Sequence, residues 1–326
     1  MNAAGLIRWK EVPFSLRSDA LAACFVSAVS ALAQITGIAL LLFPELAALS
    51  FDIFRRPHGS WAKAPVLLVA TPFLTGVVGT VVARNLQFGP LSVLIIVFTA
   101  VLIVRVMRSP IVPAVAAGLL PLIIGETSWW YAPSLLIGTC ILAGVSVLRA
   151  RLYPISDDVA NSVSSTKPEG LRSERDLSWI PFFTAFLVIS ASAAVWTGER
   201  LLLLPPLVVV ALELFAHFDT CPWVKRPLVI PVVCGLSALS TVMIIVWLGT
   251  GPLAVFLSMI AVATIVRLFN FHFPPAIAIG ILPFIMPHLD TRYPAVVTVA
   301  AIFLIGVFFL WRSMASRWQK RFQRGA

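Results

Sequence analysis

The sequence predicts an all-α polytopic membrane protein built from two parallel six-segment repeats, and three observations carry this prediction. First, 60% of the 326 residues are hydrophobic and only 12% are charged, whereas a soluble domain carries about 25% charged residues. Second, apolar stretches recur along the whole chain, and roughly 20 such residues suffice to cross the hydrocarbon core of a bilayer. Third, the two halves of the chain match each other at a fixed offset.

The internal match runs without a gap over much of its length. A shift of 162 positions places Arg105 on Arg267 and Pro113 on Pro275. The same shift brings further residues into register: Trp61 with Trp223, Ala114 with Ala276, Gly118 with Gly280, Pro121 with Pro283, Tyr131 with Tyr293 and Gly144 with Gly306. Apolar sequences match easily by chance, but matches at Trp, Arg, Pro and Gly in one register do not. We therefore interpret the chain as an internal duplication.

Each half contains six apolar segments. In the first half they run at about 18–36, 38–54, 65–83, 89–107, 109–124 and 131–148, and in the second at about 178–197, 199–216, 227–248, 252–269, 271–287 and 294–312. The second and fifth segments of each half are short and contain proline. Their length alone leaves open whether they cross the membrane or are re-entrant.

These segments divide the chain into four regions. We predict a first membrane repeat (1–148), a polar cytoplasmic linker (149–177), a second membrane repeat (178–312) and a basic cytoplasmic tail (313–326). The N-terminal stretch is charged and then apolar, like a signal peptide, but its apolar run is too long and lacks a convincing cleavage site. We interpret it as a retained first span.

The placement of positive charge favours twelve crossings. If all segments cross, most Lys and Arg residues fall on the side of the linker, and the other side receives only Arg84, Arg200 and Arg292. This positive-inside pattern predicts both termini in the cytoplasm of a cell with the protein in its inner (plasma) membrane. Six is an even number, so the halves point the same way, as in the parallel repeats of some secondary transporters. The net charge of +10 is thus explained by topology and does not indicate nucleic acid.

Other classes of site find little support. The four cysteines are isolated in or beside apolar segments, and their spacing fits neither a metal site nor a redox pair. No metalloprotease, nucleophile-elbow or phosphate-loop motif occurs. We therefore expect no metal, no cofactor and no enzymatic activity.

Two stretches resemble the HPP family of bacterial and plastid integral membrane proteins. HFPPAIAIGILP (272–283) resembles the His-Pro-Pro signature that opens a short helix in that family, and PPLVVVALELFAHFDTCPWVKRP (205–227) resembles the family's first segment. Phe273 interrupts the tripeptide, and the first half has Pro110 in place of His272. Some family members are linked to nitrite transport, so the resemblance implies a small-anion transporter. A looser resemblance, in architecture only, is to aromatic-acid exporters of the fusaric-acid-resistance type.

The prolines suggest where an anion would bind. A helix that starts at Pro274 and Pro275 would offer the free N–H groups and positive dipole end that favour anions. The predicted substrate-binding residues lie at this break and at its counterpart in the first half: Arg105, Pro113, Arg267, Asn270, His272, Pro274 and Pro275. The alternatives are that the arginines extend to lipid phosphate and that His272 caps a free carbonyl.

Asp52 and Glu213 are the predicted proton-coupling residues. They recur at matching positions inside short apolar segments, where carboxylates are costly and usually have partners. A salt bridge to Arg55, Arg56 or Lys225 is the alternative. Taken together, we expect a transporter of a small, nitrite-like anion whose partners are the lipid bilayer and that anion. An organic-acid exporter, a non-transporting structural membrane protein and a homo-oligomer stay open.

Overall fold

A computed structural model describes residues 16–152, 179–218, 220–286 and 289–324. In these ranges the regular structure is entirely helical, so the all-α prediction is confirmed there. Twelve α-helices occur in them, six on each side of the predicted linker. In chain order they are α1 (Leu16–Thr36), α2 (Pro44–Arg55), α3 (Pro65–Asn85), α4 (Pro90–Val106), α5 (Ala114–Ile124), α6 (Tyr131–Leu152), α7 (Ile180–Thr197), α8 (Pro205–Ala216), α9 (Val229–Leu248), α10 (Pro252–Leu268), α11 (Pro274–Ile281) and α12 (Tyr293–Arg324).

Six of these helices are long and apolar enough to cross a membrane. They are α1, α3, α6, α7, α9 and the first part of α12, Tyr293–Met314. Each of them keeps half or more of its apolar window outside the protein interior, with large side chains such as Trp196 and Trp247 exposed. Such faces suit lipid, which solvates apolar side chains without cost.

Four short helices form the centre of the bundle. α2, α5, α8 and α11 have 12, 11, 12 and 8 residues, and nearly every one of their residues is buried. A 12-residue helix rises only about 18 Å, well below the roughly 30 Å of a hydrocarbon core. The predicted short segments are therefore interior elements. Single turns of 3₁₀ helix, Ala39–Leu42 and Arg200–Leu203, precede α2 and α8.

Two of the region boundaries differ from the expectation. α6 continues to Leu152 and α12 continues to Arg324, so most of the tail extends the last helix. The remainder of the predicted linker, residues 153–178, lies outside the described residues, as do 1–15 and 325–326.

The halves contact each other in a reciprocal way. α1 packs on α10 and α2 packs on α11, while α7 packs on α4 and α8 packs on α5. Exchanging first-half helices for their second-half counterparts converts the first pair of contacts into the second. The short helices of each half thus meet those of the other half at the centre.

Equivalent hydrogen bonds hold the same loops in both halves. The Trp61 indole N–H donates to the Pro110 carbonyl and the Trp223 indole N–H to the His272 carbonyl, both at 2.9 Å. Arg108 and Asn270, which follow α4 and α10, both adopt a left-handed backbone, with φ of 50° and 47°. This conformation turns the chain from the end of a long helix into the buried start of a short one.

Candidate functional site

The buried carboxylate of Asp19 joins three helices, α1, α2 and α10, at the C-terminal end of α2. Asp19 of α1 accepts two hydrogen bonds from Arg55, the last residue of α2, at 2.5 Å from Nε and 2.7 Å from Nη2. Arg267 of α10 contacts the same carboxylate through Nη2. Asp19 is only 4% exposed, and the Arg55 guanidinium lies 4.0 Å from the centre of the Phe51 ring. Two cations therefore share one buried anion.

A second ion-pair group lies next to the first. Asp52 of α2, 1% exposed, accepts a hydrogen bond from Arg56 Nε at 2.9 Å. The Nε2 atom of His272 lies 2.8 Å from the Asp52 Oδ1 atom, and the His272 ring stacks on Phe51 at 6.1 Å. In the part of the chain that the structure describes, the buried Nδ1 atom of His272 has no hydrogen-bond partner. We call the two groups together, Asp19, Asp52, Arg55, Arg56, Arg267 and His272, the ion-pair network.

The ion-pair network crosses from one half of the chain to the other twice. Asp19 and Asp52 belong to the first half, and their partners Arg267 and His272 belong to the second. The described contacts at the related position differ, because Glu213 pairs with His217 at 2.8 Å within α8 and its C-terminal cap. Asp52 thus has the predicted partner Arg56, whereas Glu213 has His217 instead of Lys225.

The predicted substrate residues separate into three environments. Arg267 and His272 are bound to carboxylates of the ion-pair network. Arg105 and Asn270 are exposed, and Arg105 forms no ion pair within the described ranges. The three prolines, Pro113, Pro274 and Pro275, are buried at the starts of α5 and α11. Among the side-chain contacts of the described residues, none joins Arg105 or Asn270 to Arg267 and His272.

The start of α11 also lacks the donors expected there. Pro274 and Pro275 occupy the first two helical positions and have no N–H group. The next N–H group, that of Ala276, donates to the Phe273 carbonyl at 3.1 Å. The first three positions of α11 therefore present no free N–H group, because proline has none and that of Ala276 is engaged, and an anion site at this helix start stays a prediction.

A cavity of about 690 Å³ opens on the opposite side of the bundle. It lies between the end of α3, the end of α5 and the end of α7, so both halves line it. Its polar lining side chains are Arg84, Asn85, Gln87, Thr127 and Arg200. No sequence motif marks this cavity, although Arg84 and Arg200 are two of the few cations predicted on that side.

The two arginines of this cavity are held by neutral groups. Arg84 Nη1 donates to the Thr127 carbonyl at 2.5 Å, and Arg200 Nη1 lies 3.5 Å from the Leu122 carbonyl. The Arg84 guanidinium lies 4.8 Å from the Trp129 ring and that of Arg200 lies 5.3 Å from the Phe88 ring. Among the described residues neither arginine forms an ion pair with a carboxylate, although Glu199 and Glu126 are sequence neighbours of lining residues.

Metal and disulfide chemistry find no site in the described part of the chain. No group of three or more potential metal-ligating side chains occurs there, and all four cysteines are unpaired.

Comparison with known proteins finds no matching family model, no similar curated protein and no similar solved structure. The HPP resemblance accordingly stays a prediction.

Proposed function

We propose that the protein is a membrane transporter of a small anion, and the cavity with Arg84 and Arg200 is the observation that carries this proposal. Two guanidinium groups with no carboxylate partner in the described structure are suited to bind a planar oxyanion such as nitrite. One arginine comes from each half of the chain, and the cavity lies among the ends of α3, α5 and α7. A cavity of this kind at a repeat interface is typical of transporters that expose one site to one side at a time.

The ion-pair network closes the opposite side in this proposal. Ionisable side chains within a membrane protein commonly mark ion pathways or gates. The Asp19–Arg267 and Asp52–His272 pairs join the two halves, so they must separate if the halves move apart. Arg267 and His272 then act as gate residues, and they no longer serve as direct ligands of the substrate.

The contacts support the charge-based topology and the duplication. Arg84 and Arg200, both predicted outside, share one cavity, whereas Arg55 and Arg267, both predicted inside, share Asp19. The reciprocal helix contacts and the paired Trp61 and Trp223 hydrogen bonds support two parallel repeats. We therefore retain twelve crossings, cytoplasmic termini and the inner (plasma) membrane as parts of the proposal.

The cavity volume favours a second candidate, export of an aromatic or other organic acid. A volume of about 690 Å³ lies within the range of about 300–1,000 Å³ of pockets that hold drug-sized ligands, and Phe88 offers an aromatic wall. The carboxylate of such an acid would offer the two arginines a planar pair of oxygen atoms, as nitrite would. The acid would also have an apolar body to contact Phe88.

Uptake into proteoliposomes tests the proposal and separates the candidates. The purified protein would be reconstituted and supplied with nitrite, nitrate, formate or benzoate, with and without a pH gradient. Flux of the small anions above that of empty liposomes is expected. Flux of benzoate alone would favour the exporter, and no flux of any of the four would contradict the proposed transport.

A further inference from the structure

Glu45 has a buried carboxyl group that takes no part in the ion-pair network. It is the second residue of α2, directly after Pro44, and it is only 2% exposed. Both of its carboxyl oxygens are buried and have no hydrogen-bond partner among the described residues. The other two buried carboxylates in these ranges, Asp19 and Asp52, each pair with cations. Glu45 forms no such pair.

The elements packed around Glu45 supply no cation close to it. α5, α11 and the turn Ala39–Leu42 contain no titratable side chain. On α2 itself, Asp52 and Arg55 lie seven or more residues farther on, which is about 10 Å along the helix axis. The remaining titratable groups on the elements that contact α2 are Arg17, Asp19 and Cys24 of α1 and Tyr131, Cys140, Arg149 and Arg151 of α6. Asp19 is already bound to Arg55 and Arg267, and Arg149 donates to the Phe54 carbonyl at the far end of α2.

Tyr131 is the titratable group of α6 that faces Glu45. It lies close enough for the charges of Glu45 and Glu126 to act on it. Its own hydroxyl donates to the Ala117 carbonyl at 2.5 Å, so that proton does not satisfy Glu45. Glu126 directly follows Gly125, which lines the arginine cavity. Tyr131 and Glu126 are thus ionisable groups near Glu45 on the side of the protein where the cavity opens, and no hydrogen bond of the described residues joins Glu45 to either.

An ionised carboxylate without partner or water is strongly disfavoured in an apolar interior, and such a group neutralises itself by binding a proton. We propose that Glu45 is a proton-binding site that carries a proton at neutral pH and exchanges it with the arginine cavity. The exchange is a simple dissociation of the carboxyl O–H, in which the proton passes to solvent in the cavity and the carboxylate remains.

The site occurs once in the chain, because Pro206 occupies the related position in the second half. One proton bound at Glu45 would balance the charge of one monovalent anion held at Arg84 and Arg200. This coupling role rests on the proposed transport function, whereas the proton site itself does not. Asp52 and Glu213, the residues expected to couple protons, are instead committed to ion pairs.

Infrared spectroscopy tests the proton site without any transport assay. The purified wild-type protein in lipid vesicles is expected to show the stretching band of a protonated carboxyl group at neutral pH. Glu45→Gln should remove the band, Glu45→Asp should keep it at a shifted frequency, and Glu199→Gln, a change of a carboxyl group in an outer loop, should leave it unchanged. A wild-type spectrum without the band, or a band that survives in Glu45→Gln, would overturn the proposal.

The coupling role has a separate test in the same vesicles. Glu45→Gln should retain exchange of nitrite at equal pH on both sides but lose most of the stimulation by an inward proton gradient. Stimulation equal to that of the wild type would overturn the coupling role. Absence of nitrite flux in the wild type would instead count against transport, and the infrared result would still decide whether Glu45 binds a proton.

Discussion

Asp19 of α1 and Arg267 of α10 form an ion pair that joins the first half of the chain to the second. Arg55 binds the same carboxylate from α2, so one anion neutralises two cations at a point where three helices meet. A buried charge that loses its partner is far more costly than a pair that is absent altogether. Asp19 therefore holds two cations, one from each half of the chain, at this point of contact between the halves.

Asp19→Asn is expected to destabilise the protein by about 3–5 kcal/mol, because it leaves Arg55 and Arg267 without their countercharge. Thermal unfolding of the purified protein in detergent would measure the loss. Asp290→Asn, which alters a less buried carboxylate in an outer loop, serves as the control. A loss no larger than that of the control would show that the shared carboxylate does not hold the helices together.

Asp52 and His272 should be energetically coupled. Their atoms lie 2.8 Å apart, and paired side chains in one network show interaction energies of about 0.5–3 kcal/mol. A double-mutant cycle with Asp52→Asn and His272→Ala, read out as thermal stability, would measure this energy. Additive effects of the two substitutions would mean that the contact contributes nothing to the union of the halves.

Gly79 permits α3 and α5 to touch backbone to backbone. A side-chain carbon added at Gly79 would overlap the carbonyl oxygen of Gly118, whereas one added at Gly144 of α6 meets nothing within 4 Å. Gly79→Ala should therefore destabilise the protein by about 1–3 kcal/mol, the usual cost of overpacking. Gly144→Ala should be neutral or stabilising by up to about 1 kcal/mol. Equal effects in thermal unfolding would contradict the close crossing of these two helices.

Labelling of single cysteines would test the twelve crossings. In a background without the natural cysteines, Gln87→Cys should react with a membrane-impermeant maleimide added to intact cells, because Gln87 lines the cavity that the proposed topology places outside. His58→Cys, in the loop after α2, should react only after the membrane is permeabilised. If α2 did not cross the membrane, the loop with His58 would lie outside and Gln87, after α3, would lie inside. The labelling pattern would then be reversed.

Much of the helical framework could be predicted from the sequence. The six apolar segments of each half correspond to helices, and the short, proline-containing ones are the buried central helices. The pair between Asp52 and Arg56 also follows from the sequence, because residues four apart lie on one face of a helix. Periodicity and composition report such local relationships directly.

The cross-half contacts could not be predicted in the same way. Asp19 and Arg267 lie far apart in the chain, and only the packing of α1 on α10 brings them together. The anion site expected at Pro274 stays a prediction, and the sequence reasoning behind it overlooked that the prolines at the helix start have no N–H to donate. Glu45 could not be singled out from the sequence, because it has no counterpart in the second half and a sequence does not show that a buried carboxyl group lacks a partner.

The most direct test of the central claim compares three arginines on the same side of the protein. Nitrite uptake into proteoliposomes would be measured for the wild type, for Arg84→Gln, for Arg200→Gln and for Arg292→Gln, whose side chain does not line the cavity. Transport through the arginine cavity predicts at least a tenfold loss of uptake in the first two variants, which corresponds to about 1.4 kcal/mol or more of binding free energy, and near wild-type uptake in the third. Equal uptake in all three variants would contradict it.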